Sequence, residues 1–479
     1  MADNNKEAPS MTQAVGTSLI ARIKGWAKLW REVAGTITGG EMLNFAPDLP
    51  DDDLERLRTQ MAACLEGKGG EVSARARAAA LGREYLSLSP EGRKRFLALM
   101  ASFGPEIGRV DAATQALLAA GDDGDARAKA EHALRTALEP PYTRLLTQFN
   151  ALPEGVKFLV DLRAELMGMA RGDVRLGALE KELKGLLAAW FDVGFLELQR
   201  ITWRSSACVL EKIMAYEAVH AIQGWGDLKN RLDSDRRLYA FFHPRMPEEP
   251  LIFVEVALVN GIAGNVHELL DPAAPVGNPD QADTAIFYSI NNAQRGLDGI
   301  SFGNFLIKRV VEELSREFKK LKTFATLSPL PGFRPWLQVQ LDKDGDGVLT
   351  LAEQRKLALS APHGEGLAAL LAADGWTGDS QVTEALRGPL TRLAARYIAL
   401  EKRPGRARAL DPVAHFHLSN GARVERLNWL ADTSAKGMAQ SLGLMINYLY
   451  KLDEIEANHE AYSASGKVAA SSDIKALLK

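Results

Sequence analysis

Four short stretches of this chain carry side chains whose types and spacing could do chemistry. In DPVAHFHLSNGA, His415 and His417 alternate through Phe416, so an extended backbone would aim both imidazoles the same way. That arrangement would serve as a metal pair or as proton-transfer groups, since imidazole titrates near neutrality. A zinc site needs more, and no cysteine cluster or suitably spaced acid follows to complete a coordination set. One proton donor or acceptor, beside a second histidine that packs or faces solvent, is the better reading. In TLSPLPGF, Ser328 closes a strand-like run and two prolines fix the exit of the chain, which suits a hydroxyl that must be aimed. A serine that only satisfies a turn fits the same residues.

The other two stretches would bind charge. In RGLDGISFGNFLIKR, residues 295–309, Gly299 and Gly303 permit close backbone approach just before a helical run. Exposed N–H groups at the positive end of that helix would suit a phosphate or pyrophosphate, with Lys308 and Arg309 adding charge one turn in. An ordinary strand–helix connection would use the same glycines. In DKDGDGVLTLAE, residues 342–353, Asp342, Asp344 and Asp346 fall at positions 1, 3 and 5 of an EF-hand-like calcium loop. Gly347 follows at the turn, Val348 offers a carbonyl, Thr350 takes the ninth place, and Glu353 supplies the final bidentate acid. No second loop accompanies it, and an acidic surface turn is the alternative. HExxH and phosphate-cradling P-loop patterns are absent.

The elements that must position these groups change character along the chain. Residues 50–190 read as about eight short helices with breakers between them and no strand-like run. Within them, Ser89 and Pro90 form a good helix start, and Leu159, Leu162 and Leu166 recur at helical spacing. Past Trp190, the runs RLYAFFH, LIFVEVALV, TAIFYSI and KTFATL have the length and β-branched or aromatic composition of strands. A helical segment at 304–320 separates the last two. A helical excursion at 337–402 carries the acidic loop, and a further strand starts near Ala422. The expected fold is α+β: a segment at 1–48, an all-helical bundle at 49–190, and a mixed α/β domain at 191–479.

Composition narrows the classes. With 479 residues, 46% hydrophobic and 25% charged, the chain can bury a large core. A formal net charge of −3 gives no long-range field for nucleic acid or an anionic membrane. No apolar run approaches the roughly 20 residues of a membrane span. The basic, amphipathic SLIARIKGWAKLWREV is expected to be a surface helix, with a weak targeting element as the alternative. Two distant cysteines, Cys64 and Cys208, suggest reduced thiols and a cytoplasmic setting.

Several long motifs, in order, make the chain similar to the malonyl-CoA decarboxylase family: FDVGFLELQRITW, AIFYSINNAQRGLDGISFGNFLIKRVVEEL, TLSPLPGF, DPVAHFHLSNGA and GLMINYLY. The resemblance implies a helical bundle followed by a GNAT-like acyl-CoA-binding catalytic domain, conversion of malonyl-CoA to acetyl-CoA and carbon dioxide, and a homo-oligomer formed through the helical part. It places the catalytic serine on Ser328 and the catalytic histidine on His417. It places the malonyl-CoA-binding stretch on Asp298, Gly299, Ile300, Ser301, Phe302, Gly303 and Asn304, with a supporting role for Tyr450. Asp411 stands where the family often has Asn, and Ser301 where some relatives carry Glu.

If that is the reaction, the thioester is its own electron sink and no cofactor is demanded; calcium would be structural only. Acyl transfer from CoA by a GNAT-type enzyme, and a non-enzymatic calcium-responsive binding protein, are the alternatives.

Overall fold

The computed structural model describes residue 30 and residues 44–67, 70–300, 303–360, 366–373 and 375–479. The expected helix at 18–33 lies outside the described residues except for Trp30. Contacts divide the chain into two compact units, the first running to Glu197 and adding Phe242–Leu251 and Asn292–Phe302, the second holding the rest. The division therefore falls a few residues after the expected 190/191 boundary, and two returning segments join the first unit.

Eight described helices build that unit: Asp51–Leu65, Gly70–Ser87, Pro90–Ser102, Ile107–Ala119, Gly124–Leu138, Tyr142–Asn150, Gly155–Met169 and Val174–Trp190. Their starts follow from their sequences. The Ser89 hydroxyl accepts from the Gly92 N–H at 3.2 Å with Pro90 behind it, and Asp123 and Asp173 cap the helices that follow them. Edge-to-face aromatic contacts fill the core, with Phe158 at 4.9 Å from Trp30, 5.8 Å from Tyr85 and 5.3 Å from Phe149. Within the same unit Arg163 is almost fully buried and turns its guanidinium to the returning segment 292–302.

The second unit is organised by one sheet. Its strands are β1 (Glu197–Ile201), β2 (Arg236–Phe242), β3 (Ile252–Val259), β4 (Thr284–Asn292), β5 (Thr323–Thr326), β6 (Ser328–Pro329), β7 (Arg423–Asn428) and β8 (Met445–Leu449). They run in the order β1-β2-β3-β4-β5-β8-β6, with β7 also on β8. β2 and β3 are antiparallel, β4 and β5 parallel, and β8 antiparallel to β5, β6 and β7. β2 and β3 are buried along almost their whole length, and their sequences are apolar apart from Arg236, Arg237 and Glu255. β1, β6 and β8 are too short to be legible as strands in the sequence.

Alternation along β8 decides what lies where. Met445 joins the apolar core with Ile286, Tyr288, Ala325 and Leu327, and Leu449 packs against it. Ile446, Tyr448 and Tyr450 take the opposite face, toward the helix that carries His417.

Candidate active site

The parallel pairing of β4 with β5 ends at Phe287 and Thr326, and two residues later Ser328 pairs with Ile446 of β8. Ser328 is thus held at a strand exit by backbone hydrogen bonding. The prolines at 329 and 331 flank the turn that leads into the helix Phe333–Asp344.

His417 does not sit on extended backbone. The segment forms the helix Pro412–Ser419, because Asp411 caps it: Oδ1 accepts from the N–H groups of Val413 and Ala414 at 2.9 Å each, with Pro412 in the first position. Its other oxygen accepts from the Tyr397 hydroxyl at 3.2 Å, tying the cap to the helix Ser380–Ala399. The helix ends where Gly421 takes φ +78°, and a Cβ there would lie 2.1 Å from the Ile455 carbonyl oxygen, so only glycine fits. On a helix, residues two apart diverge by about 200°. Accordingly His415 turns to the Tyr462 hydroxyl at 3.0 Å while His417 turns to the sheet. The two histidines are not a metal pair.

The structure brings Ser328, His417 and Tyr450 together. Ser328 Oγ lies 3.2 Å from His417 Nε2, and His417 Nδ1 lies 2.8 Å from the Tyr450 hydroxyl. All three are buried. The imidazole stacks on Tyr448 with centroids 4.5 Å apart and 25° between planes. Burial pushes its pKa down to about 3, so it is neutral around pH 7. That departs from the near-neutral titration expected from the residue type. Thr326 completes the group: its hydroxyl oxygen accepts from Ser328 Oγ at 2.9 Å and from the Tyr448 N–H at 3.1 Å. Sequence reasoning missed Thr326 and Tyr448, although each stands two residues from a recognised group, on the same face of an extended run.

The glycine loop belongs to the first unit up to residue 302. Arg163 donates to the carbonyls of Gly296 at 2.6 Å and Asp298 at 3.0 Å, which fixes the backbone just before Gly299. Gly299 has φ +75°. Burial raises the Asp298 carboxyl above its ordinary pKa, against the pull of Arg163 and Arg295. Ile300 is half-buried; Ser301 and Phe302 lie outside the described residues; Gly303 and Asn304 open the helix Gly303–Glu317 as expected.

The acidic loop departs from a calcium loop. Asp342 and Asp344 are the last turn of the helix Phe333–Asp344, where residues two apart cannot converge on one ion. Asp342 accepts from Gln338 at 2.9 Å, and Asp346 accepts from the Leu367 N–H at 2.9 Å. The Glu353 carboxylate receives Arg392 at 2.8 Å and 2.7 Å, and the same guanidinium donates to the Val348 carbonyl at 3.0 Å. Burial would raise the Glu353 pKa, but the Arg392 and Thr350 hydrogen bonds outweigh it and hold the acid below its ordinary value. Among the described residues no three His, Cys, Asp or Glu side chains gather as a metal would need. As arranged, these residues do not fit calcium.

A second buried polar cluster in the same unit went unread. Glu217 accepts from Ser289 at 2.7 Å and Asn291 at 2.6 Å, and Glu255 of β3 pairs with Arg231 at 3.1 Å. Burial and the neighbouring Glu217 push the Glu255 carboxyl up to about 8, against the pull of Arg231. A lone acid inside LIFVEVALV was the available signal.

Comparison with known proteins identifies relatives over most of the chain. Residues 194–479 match the profile of the malonyl-CoA decarboxylase C-terminal domain, and residues 103–191 that of the N-terminal domain. The chain is 41% identical to the mitochondrial malonyl-CoA decarboxylase of Mus musculus over 73% of each chain. It is 38% identical to that of Anser anser anser over 83% of this chain and 82% of the relative. Crystal structures of malonyl-CoA decarboxylases from Rhodopseudomonas palustris (41% identity, TM-score 0.80) and Agrobacterium vitis (42%, 0.81) are also similar. Both cover 88% of this chain, and the match spans 99% and 100% of their own lengths.

Proposed function

Because the chain belongs to the malonyl-CoA decarboxylase family, we propose that it converts malonyl-CoA to acetyl-CoA and carbon dioxide, with Ser328 and His417 acting at the malonyl group. One observation carries the site: a hydroxyl and an imidazole 89 residues apart in sequence lie 3.2 Å apart in space. Nothing in apolar packing alone would bring these two polar groups together in the interior, where unpaired polar atoms are costly.

As carbon dioxide leaves, the electron pair of the breaking bond delocalises from the α-carbon onto the thioester oxygen. The protein has two tasks: to stabilise that enolate and to protonate carbon. A positioned donor at the enolate oxygen is worth about 3 kcal/mol. Ser328 hydrogen-bonds the malonyl group, and His417 gives its Nε2 proton to the α-carbon, closing the new C–H bond. A neutral imidazole is competent here, because a thioester enolate carbon is far more basic than the ring nitrogen, and neutral histidines are used as acids in enzymes. The thioester holds the charge throughout, so no cofactor is required by this scheme.

The resemblance assigns Asp298–Asn304 and Tyr450 to malonyl-CoA binding, and the Arg163-braced backbone before Gly299 supports that use of the loop. We read the sheet as GNAT-like; the parallel β4–β5 pair, joined through a glycine loop and a helix, supports it. The helical unit is proposed to mediate self-association, since the helix Ile107–Ala119 buries none of its residues and exposes Ile107 and Leu118. The free thiols of Cys64 and Cys208 favour a reducing, cytoplasm-like setting, whereas the animal relatives are mitochondrial by name. Among the described residues no helix is long and apolar enough to cross a membrane.

The test is incubation with malonyl-CoA and no acyl acceptor. Acetyl-CoA should form, and Ser328→Ala and His417→Gln should each lose most turnover while still binding CoA ester. A requirement for an amine acceptor would instead identify an acyltransferase.

A further inference from the structure

Ser328 and His417 are not an isolated pair. They are the middle of a chain of four side chains, Tyr450, His417, Ser328 and Thr326, joined by contacts of 2.8, 3.2 and 2.9 Å. Hydrogens in such a chain can point either way, and the two directions give His417 opposite chemistry. If Tyr450 donates into Nδ1, the ring carries its proton on Nε2, facing Ser328. If the chain runs the other way, Nε2 is bare and accepts the Ser328 proton, which is the resting state of a serine nucleophile with its base.

Three observations choose between them. The first is length: 2.8 Å between a phenol oxygen and a ring nitrogen is a short bond that suits a strong O–H donor, whereas 3.2 Å at Nε2 is at the long end for a neutral N–H donor. The second is donor strength. Each direction leaves one buried hydroxyl hydrogen without a partner, on Thr326 or on Tyr450, and the phenol, being the stronger acid, loses more by being orphaned. The third is the far end. The Tyr448 N–H, a fixed donor, already points at Thr326 Oγ1, which marks that oxygen as the acceptor where the chain terminates.

We propose that the chain runs one way, Tyr450 to His417 to Ser328 to Thr326, and that Thr326 and Tyr450 are positioning residues that keep a proton on His417 Nε2 and turn the Ser328 hydrogen away from it. This rests on the decarboxylase reading above and deepens it. In this resting polarity Ser328 is not activated for acyl transfer, and the nitrogen facing the reaction is already the acid; when malonyl-CoA binds, the single Ser328 hydrogen turns from Thr326 to the malonyl group and Nε2 keeps its proton for the α-carbon. When Nε2 gives up its proton, the Tyr450 O–H remains directed at Nδ1 and stabilises the negative charge left on the ring.

Two measurements on the full chain test this. In wild-type protein labelled with ¹⁵N-histidine, with His417→Gln used to assign the signal, Nδ1 should resonate as an unprotonated nitrogen and Nε2 as a protonated one. Tyr450→Phe should mix the two tautomers. In turnover of malonyl-CoA, Thr326→Val keeps the side-chain shape but removes the acceptor, and should lower kcat on the order of a hundredfold with little change in KM. Thr326→Ser, which restores the hydroxyl, should recover most of that loss. A protonated Nδ1 in the resting wild-type enzyme would overturn the proposal, as would normal kcat in Thr326→Val alongside an inactive His417→Gln. Full activity in His417→Gln would remove the decarboxylase assignment of that histidine as well.

Discussion

The depressed pKa of His417 makes a stability prediction that can be separated from catalysis. A histidine ordinarily titrates near 6.5, and burial holds this one neutral down to about 3. The unfolded chain therefore binds a proton at mildly acid pH that the folded chain refuses. By linkage, the stability due to this group is fully present above about pH 6.5 and is lost as pH falls toward about 3. From pH 7 to pH 5 the loss is about 2 kcal/mol, taking the folded value as about 3. The perturbation is His417→Gln, which keeps a neutral polar side chain but does not titrate. Urea unfolding followed by tryptophan fluorescence, at several pH values for both proteins, gives the comparison. The variant carries a constant offset from its altered packing, so only the difference in pH slope is read. Wild type should fall faster than the variant by about 2 kcal/mol over that interval. Parallel slopes would show that His417 is readily protonated in the folded protein, and would refute the account of a dry, neutral imidazole at the site.

Two further outcomes follow from the same structure. Asp411→Ala removes both a helix cap and the partner of Tyr397, and should cost about 1–2 kcal/mol in chemical unfolding, with turnover reduced because the cap orients the His417 helix. Asp411→Asn keeps an accepting oxygen and can donate to Tyr397, so it should lie close to wild type. At the acidic loop, isothermal titration of calcium into the wild-type protein should release no heat, while Arg392→Ala should lower stability by about 1 kcal/mol in thermal melts. Saturable calcium heat in the wild type would contradict the arrangement described for Glu353.

How far the sequence was readable depended on whether the information was local. The helices of the first unit announced themselves through caps such as Ser89–Pro90 and through apolar spacing, and the buried strands through LIFVEVALV and TAIFYSI. Ser328 and His417 were visible through their motifs, but their meeting is a property of β8, a five-residue strand that pairs with three others and was not recognised as a strand. The His415–His417 alternation would pair the two rings only on extended backbone, and Asp411–Pro412 spells a helix start instead. Thr326 and Tyr448 became visible only when the register placed them beside the imidazole. The pKa of His417 depends on burial by residues scattered along the chain, which no local pattern encodes. The side-chain pairing of the acidic loop was hidden for a related reason. A loop motif specifies residue types but not backbone path, and the decisive group, Arg392, lies 39 positions beyond Glu353.

That arginine changes what kind of closure the loop has. A guanidinium that contacts both the seventh-position carbonyl and the twelfth-position carboxylate bridges two of the ligands an ion would have drawn together. Being tethered to the helix Ser380–Ala399, it is always at hand, with an effective concentration set by the fold and not by the surroundings. A diffusible ion would make this excursion answer to signalling or starvation; a tethered one makes it deaf to both.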